Sequence, residues 1–204
     1  MINSQQHWES VYSHKAADEV SWFQPHAASS LRLIEACTDT HAHIIDVGGG
    51  TSVLVDGLLD AGYRNLTVLD LAESALAASR QRLGARAQSV QWIAADITQA
   101  ELPAARYDVW HDRAVFHFLT DPDDRARYVA QVLKSVKPGG HVIVATFGPG
   151  GPLQCSGLDV MRYAPGALHA EFGAPFRLLK HETEIHYTPA GKEQEFVYCY
   201  CMRA

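Results

Sequence analysis

Two rhythms of apolar residues alternate along the chain and predict strands and helices in turn. Ile44 and Ile45 begin a first strand. Val53, Leu54, Leu58 and Leu59 recur at helical spacing, with Gly62 where a C-cap falls. Leu66, Val68 and Leu69 make a second strand, Ala72 to Leu83 an alanine-rich helix, and Val90, Trp92 and Ile93 a third strand. Tyr107 to Trp110 is the fourth. A helix from about Pro122 to Val136 follows, with Tyr128, Val132 and Leu133 inward. Lys137-Pro138-Gly139-Gly140 reads as a tight turn. His141 to Phe147 reads as a fifth strand, apolar enough to be buried on both faces. Pro165 to Phe172 is a helix ending at Gly173. Phe176 to Tyr187 and Glu195 to Met202 close the chain as an antiparallel pair around Pro189 to Lys192. Upstream, Ser4 to Tyr12 predicts a short helix, and Ala27 to Cys37 another with Leu31, Leu33 and Ile34 buried. This alternation predicts the α/β class, with a parallel sheet covered on both faces.

Polar residues punctuate the strand ends. Asp46 ends the first strand and is followed by Gly48, Gly49 and Gly50; Asp70 ends the second, and Asp96 follows the third. Glycines there let backbone N–H groups and a helix start approach a ligand, and open α/β sheets bind at this edge. The spacing is D-x-G-x-G, not the dinucleotide fingerprint, because Val53 stands where the third glycine would fall. A carboxylate at Asp46 repels a pyrophosphate and suits an ammonium or sulfonium group. Both features count against an NAD-linked oxidoreductase. Asp70 is placed to accept from two ribose hydroxyls, and Asp96 to meet an adenine amino group or else to cap a turn. Leu71 and Ile97, each next to one of these acids, join the candidate cofactor residues.

Trp8, Tyr12, Trp22 and Phe23 crowd into the first 27 residues. They either plug one end of the core or form a lid that excludes water over a bound cofactor. The lid reading puts Trp8, Tyr12 and Trp22 against the cofactor and Phe23 in the substrate pocket. After strand four, His111 to Phe118 lies beside the expected reactive centre. The glycine-rich loop from 148 to 163 is expected to be functional or mobile.

The 204 residues fit one domain, with 1–38 as an N-terminal helical lid segment and 39–204 as the core. A net charge of −6 disfavours a nucleic-acid partner. No apolar run spans a membrane and no signal-peptide pattern opens the chain, so a cytoplasmic location with reduced cysteines is expected. Cys199 and Cys201 face one side of a strand and, with Cys155 or His186, could hold a soft metal. Buried free cysteines are the simpler expectation, and no metal is expected.

The D-x-G-x-G motif, with Asp70, Asp96 and the Lys137–Gly140 turn, resembles class I S-adenosylmethionine (SAM) methyltransferases. The resemblance implies a single Rossmann-like doubly wound sheet of seven strands, ordered 3-2-1-4-5-7-6 with strand 7 antiparallel. It also implies SAM as cofactor and S-adenosylhomocysteine as product. Within residues 107–173 the chain is similar to the thiopurine and thiol methyltransferases at Asp112, Arg113, Asp124, Arg125 and Tyr128, with Ala114 where that subgroup often has glycine. That likeness implies a small-molecule acceptor, a thiol or another soft nucleophile. Arg113 would contact the cofactor or favour the acceptor anion, and His117 is a candidate base. Phe116 and His117 would line the substrate pocket. Arg113 could instead pair with Asp112 or Asp46. The opening segment equally resembles a branch of protein lysine methyltransferases, so a protein substrate is the alternative acceptor. A non-catalytic SAM-binding module is the third reading. The oligomeric state is left open.

Overall fold

A computed structural model describes residues 4–204; residues 1–3 of the expected lid segment lie outside the described residues. The strands are β1 (His43–Val47), β2 (Asn65–Asp70), β3 (Val90–Ala94), β4 (Tyr107–Arg113), β5 (Val136–Phe147), β6 (Phe176–Tyr187) and β7 (Glu193–Arg203). They form one seven-stranded sheet in the order β3-β2-β1-β4-β5-β7-β6. The first five run parallel. β7 enters antiparallel between β5 and β6. This is the expected doubly wound architecture.

The helices are α1 (Ser4–His14), α2 (Ala28–Cys37), α3 (Leu54–Asp60), α4 (Glu73–Leu83), α5 (Pro122–Ser135) and α6 (Pro165–Phe172). Strand side chains alternate between faces, so neighbouring residues enter different cores. Ile44 and Val109 pack with Leu33 of α2, Leu58 of α3 and Leu76 of α4. Ile45 and Trp110 pack with Tyr128 and Val132 of α5 and Phe172 of α6. Among the described residues no helix is long and apolar enough to cross a membrane.

One local expectation is corrected and another gains detail. Lys137 to Gly140 is not a separate turn but the bulged start of β5, where the β4–β5 register shifts between Tyr107 and Val109. Gly139 takes φ +75°, and a Cβ on Gly140 would lie 2.9 Å from the Lys137 carbonyl oxygen, so two glycines let one strand bend without breaking. The loop from 148 to 163 also has structure of its own: Gln154–Cys155 and Leu158–Asp159 pair as a small hairpin. That hairpin folds back over the end of the sheet where the acids gather.

Candidate active site

Each strand tip contributes differently to the C-terminal edge. After β1 the chain turns at Gly48, whose N–H donates to the Leu69 carbonyl of β2 at 2.7 Å. Gly48 holds φ +69°, and a Cβ there would fall 1.9 Å from Val115 Cγ2. Only glycine fits. A Cβ on Gly50 would lie 2.7 Å from Asp70 Oδ2 and 3.1 Å from the Tyr12 hydroxyl, so this glycine lets loop, acid and lid meet.

Asp70 is buried, and Oδ1 accepts from the Ala72 N–H at 2.8 Å. Burial pushes its carboxyl up to about 7, with the nearby Asp46 charge adding to the rise. Asp96 Oδ1 accepts from both the N–H and the hydroxyl of Thr98 at 2.8 Å. Asp96 is thus a turn acid by its bonds, and it also faces a cavity.

That cavity, of about 260 Å³, is walled by Gly48, Asp70, Leu71, Asp96 and Ile97 from the first three strand ends. Arg113, Ala114, Val115 and Phe118 close it from β4, and Cys155 and Leu158 from the hairpin. Trp8, Tyr12 and Trp22 of the first segment complete its wall. Trp8 packs edge-on against Trp22 at 5.7 Å and Phe118 at 5.0 Å. The first segment is fastened by Glu9 of α1, whose carboxylate accepts from the Glu73 and Ser74 N–H groups at the start of α4, at 2.7 and 3.2 Å. The bonds there hold its carboxyl below the usual range. A smaller cavity of about 40 Å³ adjoins, with Asp46, Gly49, Ser30, His111 and Phe23 in its wall. It shares Tyr12, Trp22, Gly48 and Arg113 with the larger one.

The end of β4 is fixed by Asp112. Its buried carboxylate accepts from the Val115 N–H (2.9 Å), the Phe116 N–H (3.1 Å) and the Tyr128 hydroxyl (2.6 Å), while Trp110 Nε1 donates to Tyr128 at 2.9 Å. Burial lifts Asp112 to about 6. This clamp holds Ala114 at φ +74°, a left-handed conformation that glycine adopts more cheaply. Arg125, matched to the same motif, pairs with Glu171 at 3.1 Å.

Three expectations fail here. Arg113 does not pair with Asp112 or Asp46. It donates to Glu184 at 3.3 Å and to the Trp22 carbonyl at 3.2 Å, and stacks 4.1 Å over Phe196. Phe116 lines neither cavity: the Asp112 clamp turns it inward against Tyr128 and Phe172. His117 is buried beside Phe147, whose N–H donates to its Nδ1 at 3.2 Å. Burial, and then the Arg113 charge, press its pKa down to about 3, so it stays neutral, outside the walls of both cavities. Phe23 lies at the smaller cavity only. Asp124, Cys155, Leu158 and Ser30 are wall residues that sequence reasoning does not place there.

The cysteines form no shared site. The Cys199 and Cys201 sulfurs sit 3.4 Å apart, buried in the sheet, whereas Cys155 lies by Ser21 at 4.0 Å and His186 Nε2 lies 2.8 Å from the Ser21 carbonyl oxygen. Among the described residues no group of three His, Cys, Asp or Glu side chains is arranged to hold a metal.

Residues 44–140 match the family described as "Methyltransferase domain". The chain is 24% identical over 154 residues to the eEF1A lysine and N-terminal methyltransferase of Mus musculus, an alignment covering 70% of this chain and 21% of that protein. It thus spans about a fifth of that relative's length. Two solved structures share the fold. One, described as "Conversion of a Disulfide Bond into a Thioacetal Group during Echinomycin Biosynthesis", aligns with a TM-score of 0.79 at 16% identity, over 98% of this chain and 92% of that one. The other is Burkholderia thailandensis 1,6-didemethyltoxoflavin-N1-methyltransferase with S-adenosylhomocysteine bound (TM-score 0.67, 19% identity, 100% and 85%). Residues 44–140, which carry β1 to β4 and the three strand-end acids, are thus similar to a methyltransferase domain, and the seven-stranded sheet shares its fold with these two solved structures.

Proposed function

We propose that the chain works as one unit, residues 1–38 roofing a core of 39–204, and transfers the methyl group of SAM to a small-molecule acceptor that arrives as an anion or soft nucleophile, such as a thiol. The observation that carries this reading is Arg113, the one basic side chain among the described residues lining the larger cavity, set in a wall with Trp22 and Phe118. A fixed cation favours an acceptor anion and opposes a lysine ammonium. A thiol is already partly ionised near neutral pH and needs no strong base, which suits a wall where His117 is unavailable. Of the two structural relatives, one is described by the conversion of a disulfide into a thioacetal, a reaction at sulfur, and the other is named for a small heterocycle.

The residues present fit the cofactor: a carboxylate or its turn stands at each of three strand tips, and the glycine loop leaves room that a Cβ would fill. In this reading Asp70 accepts from the ribose hydroxyls and Asp96 meets the adenine amino group beside Leu71 and Ile97. Asp46, with Gly48 and Gly49, receives the ammonium end. Bound SAM supplies a methyl group activated by its sulfonium. Arg113 orients and stabilises the acceptor, while Trp8, Tyr12 and Trp22 exclude water.

The second reading, a protein lysine or N-terminal acceptor, is favoured by the name of the mouse relative. Methyl-labelled SAM incubated with the protein and a crude lysate separates the two. Label in the acid-soluble fraction, raised by added thiols, supports a soft small-molecule acceptor; label in one precipitated protein band, with none in small molecules, rejects it.

A further inference from the structure

A chain of polar groups runs from Asp46 to Arg113. Asp46 Oδ1 lies 2.7 Å from His111 Nδ1, and His111 Nε2 lies 2.8 Å from Ser30 Oγ. Ser30 Oγ is 3.5 Å from the Tyr198 hydroxyl, which is 3.4 Å from Glu184 Oε2. Glu184 Oε1 receives Arg113 Nη2 at 3.3 Å and Gln24 Nε2 at 3.1 Å. Asp46, His111, Ser30 and Tyr198 are all buried. Topology builds the chain: β1 lies beside β4, Asp46 pairs in register with His111, and α2 brings Ser30 over that face.

Counting protons distinguishes the states of this chain. Four links join its five groups, and each needs one proton. The two terminal carboxylates bring none. Ser30 brings one, and Tyr198 brings one, since burial raises its pKa and keeps its hydroxyl a donor. A neutral imidazole adds one more and leaves a link unmade; an imidazolium adds two and completes all four. The charges around the ring are mixed. Asp46 on β1 and Glu184 on β6 favour a cation, as does Asp112 from the opposite face of β4. Arg113, next to it on β4, opposes one and is itself held by Glu184.

We propose that His111 is a positioning residue of the cofactor site, doubly protonated in the free protein, that releases one proton when the cofactor's ammonium group settles beside Asp46. The inference rests on the cofactor reading above. The proton leaves Nε2 for Ser30 Oγ, the Ser30 proton passes to Tyr198, the Tyr198 proton passes to Glu184, and Glu184, the partly exposed end, gives it to water. His111 then holds Asp46 with its remaining N–H.

The test is nitrogen NMR at pH 7 on the whole chain labelled with 15N-histidine, the His111 ring being assigned by its loss in His111→Gln. Should that variant not fold, Ser30→Ala perturbs the same resonance and identifies it. Expected are two protonated ring nitrogens in the free protein, one in Tyr198→Phe, where the shortened chain needs no extra proton, and one in wild type saturated with S-adenosylhomocysteine. A singly protonated ring in the free wild type overturns the proposal, as does a ring whose state ignores Tyr198→Phe. A ring that stays doubly protonated with S-adenosylhomocysteine bound overturns the release step. If S-adenosylhomocysteine does not bind at all, the cofactor reading falls, while the free-protein spectra still judge the chain.

Discussion

The two halves of the sheet edge are built by different rules. On the β1–β3 side, each acid sits at the tip of its own strand, and the loop that completes the site is a short local run after Asp46. On the β4–β7 side, Arg113 takes its position from partners far along the chain: Trp22 in the opening segment, and Glu184 and Phe196 near the end. The first half needs only the sheet. The second needs the whole fold. In the proposed reading, a site divided this way holds one cofactor firmly while its acceptor wall changes with any of three distant segments.

The largest effect should come from the locally built half. Asp70→Ala removes a buried carboxylate facing the cavity, and loss of its two expected bonds to ribose hydroxyls should cost about 3 kcal/mol, or about 100-fold in affinity for S-adenosylhomocysteine. Calorimetry measures this directly, and a loss under about threefold would remove Asp70 from the cofactor site. The same acid sets a pH dependence. Its folded pKa of about 7 stands above the ordinary 3.8, so its contribution to stability is fully present below about pH 4 and is lost as pH rises through about 7. Asp70→Asn should therefore gain on wild type as pH rises, by about 2–3 kcal/mol between pH 5 and pH 8. Urea unfolding of both at pH 5 and pH 8 gives the difference, in which the opposite contributions of Asp108 and Glu182, whose pKa values are lowered, cancel.

The distantly built half should respond separately. Arg113→Met should lower kcat/KM for an anionic acceptor about 30-fold, roughly 2 kcal/mol, and leave the affinity for S-adenosylhomocysteine within about threefold. Equal losses in both would mean that the halves do not divide cofactor from acceptor. The smallest effect belongs to the roof. Glu9→Gln weakens a capping contact worth about 0.5–1 kcal/mol, so trypsin should cut within residues 14–19 a few times faster, with wild-type behaviour restored by S-adenosylhomocysteine.

The same division explains what the residues disclose on their own. The strands, the paired final strands and the three strand-end acids follow from local pattern, because each depends on a run of neighbours, whereas the strand order follows only from the resemblance to a known family. Arg113 is marked by its motif, but its acid is not, since Glu184 lies 71 positions away and nothing near either residue links them. Phe116 and His117 are misplaced by sequence because a three-residue turn has no periodicity to show which way a side chain points. Its direction is set by Asp112, which accepts from the Val115 and Phe116 N–H groups and folds both rings into the core. The Asp46–His111 pair is within reach of sequence: strand order 3-2-1-4 already puts β1 beside β4, and register alone joins them.

The methyl group of Val115 occupies the space that a Cβ on Gly48 would need, and this is where the two halves touch. Gly48 is also fixed by its backbone, so all latitude at this seam belongs to position 115. A chimera joining residues 1–106 of this chain to the second half of a protein of the same fold will be decided there. A side chain larger than valine at the grafted position would push the glycine loop off Leu69, and a smaller one would leave a hole beneath it. In the proposed reading, acceptor preference can drift across the rest of that half, but at this one residue it inherits the shape of the glycine loop.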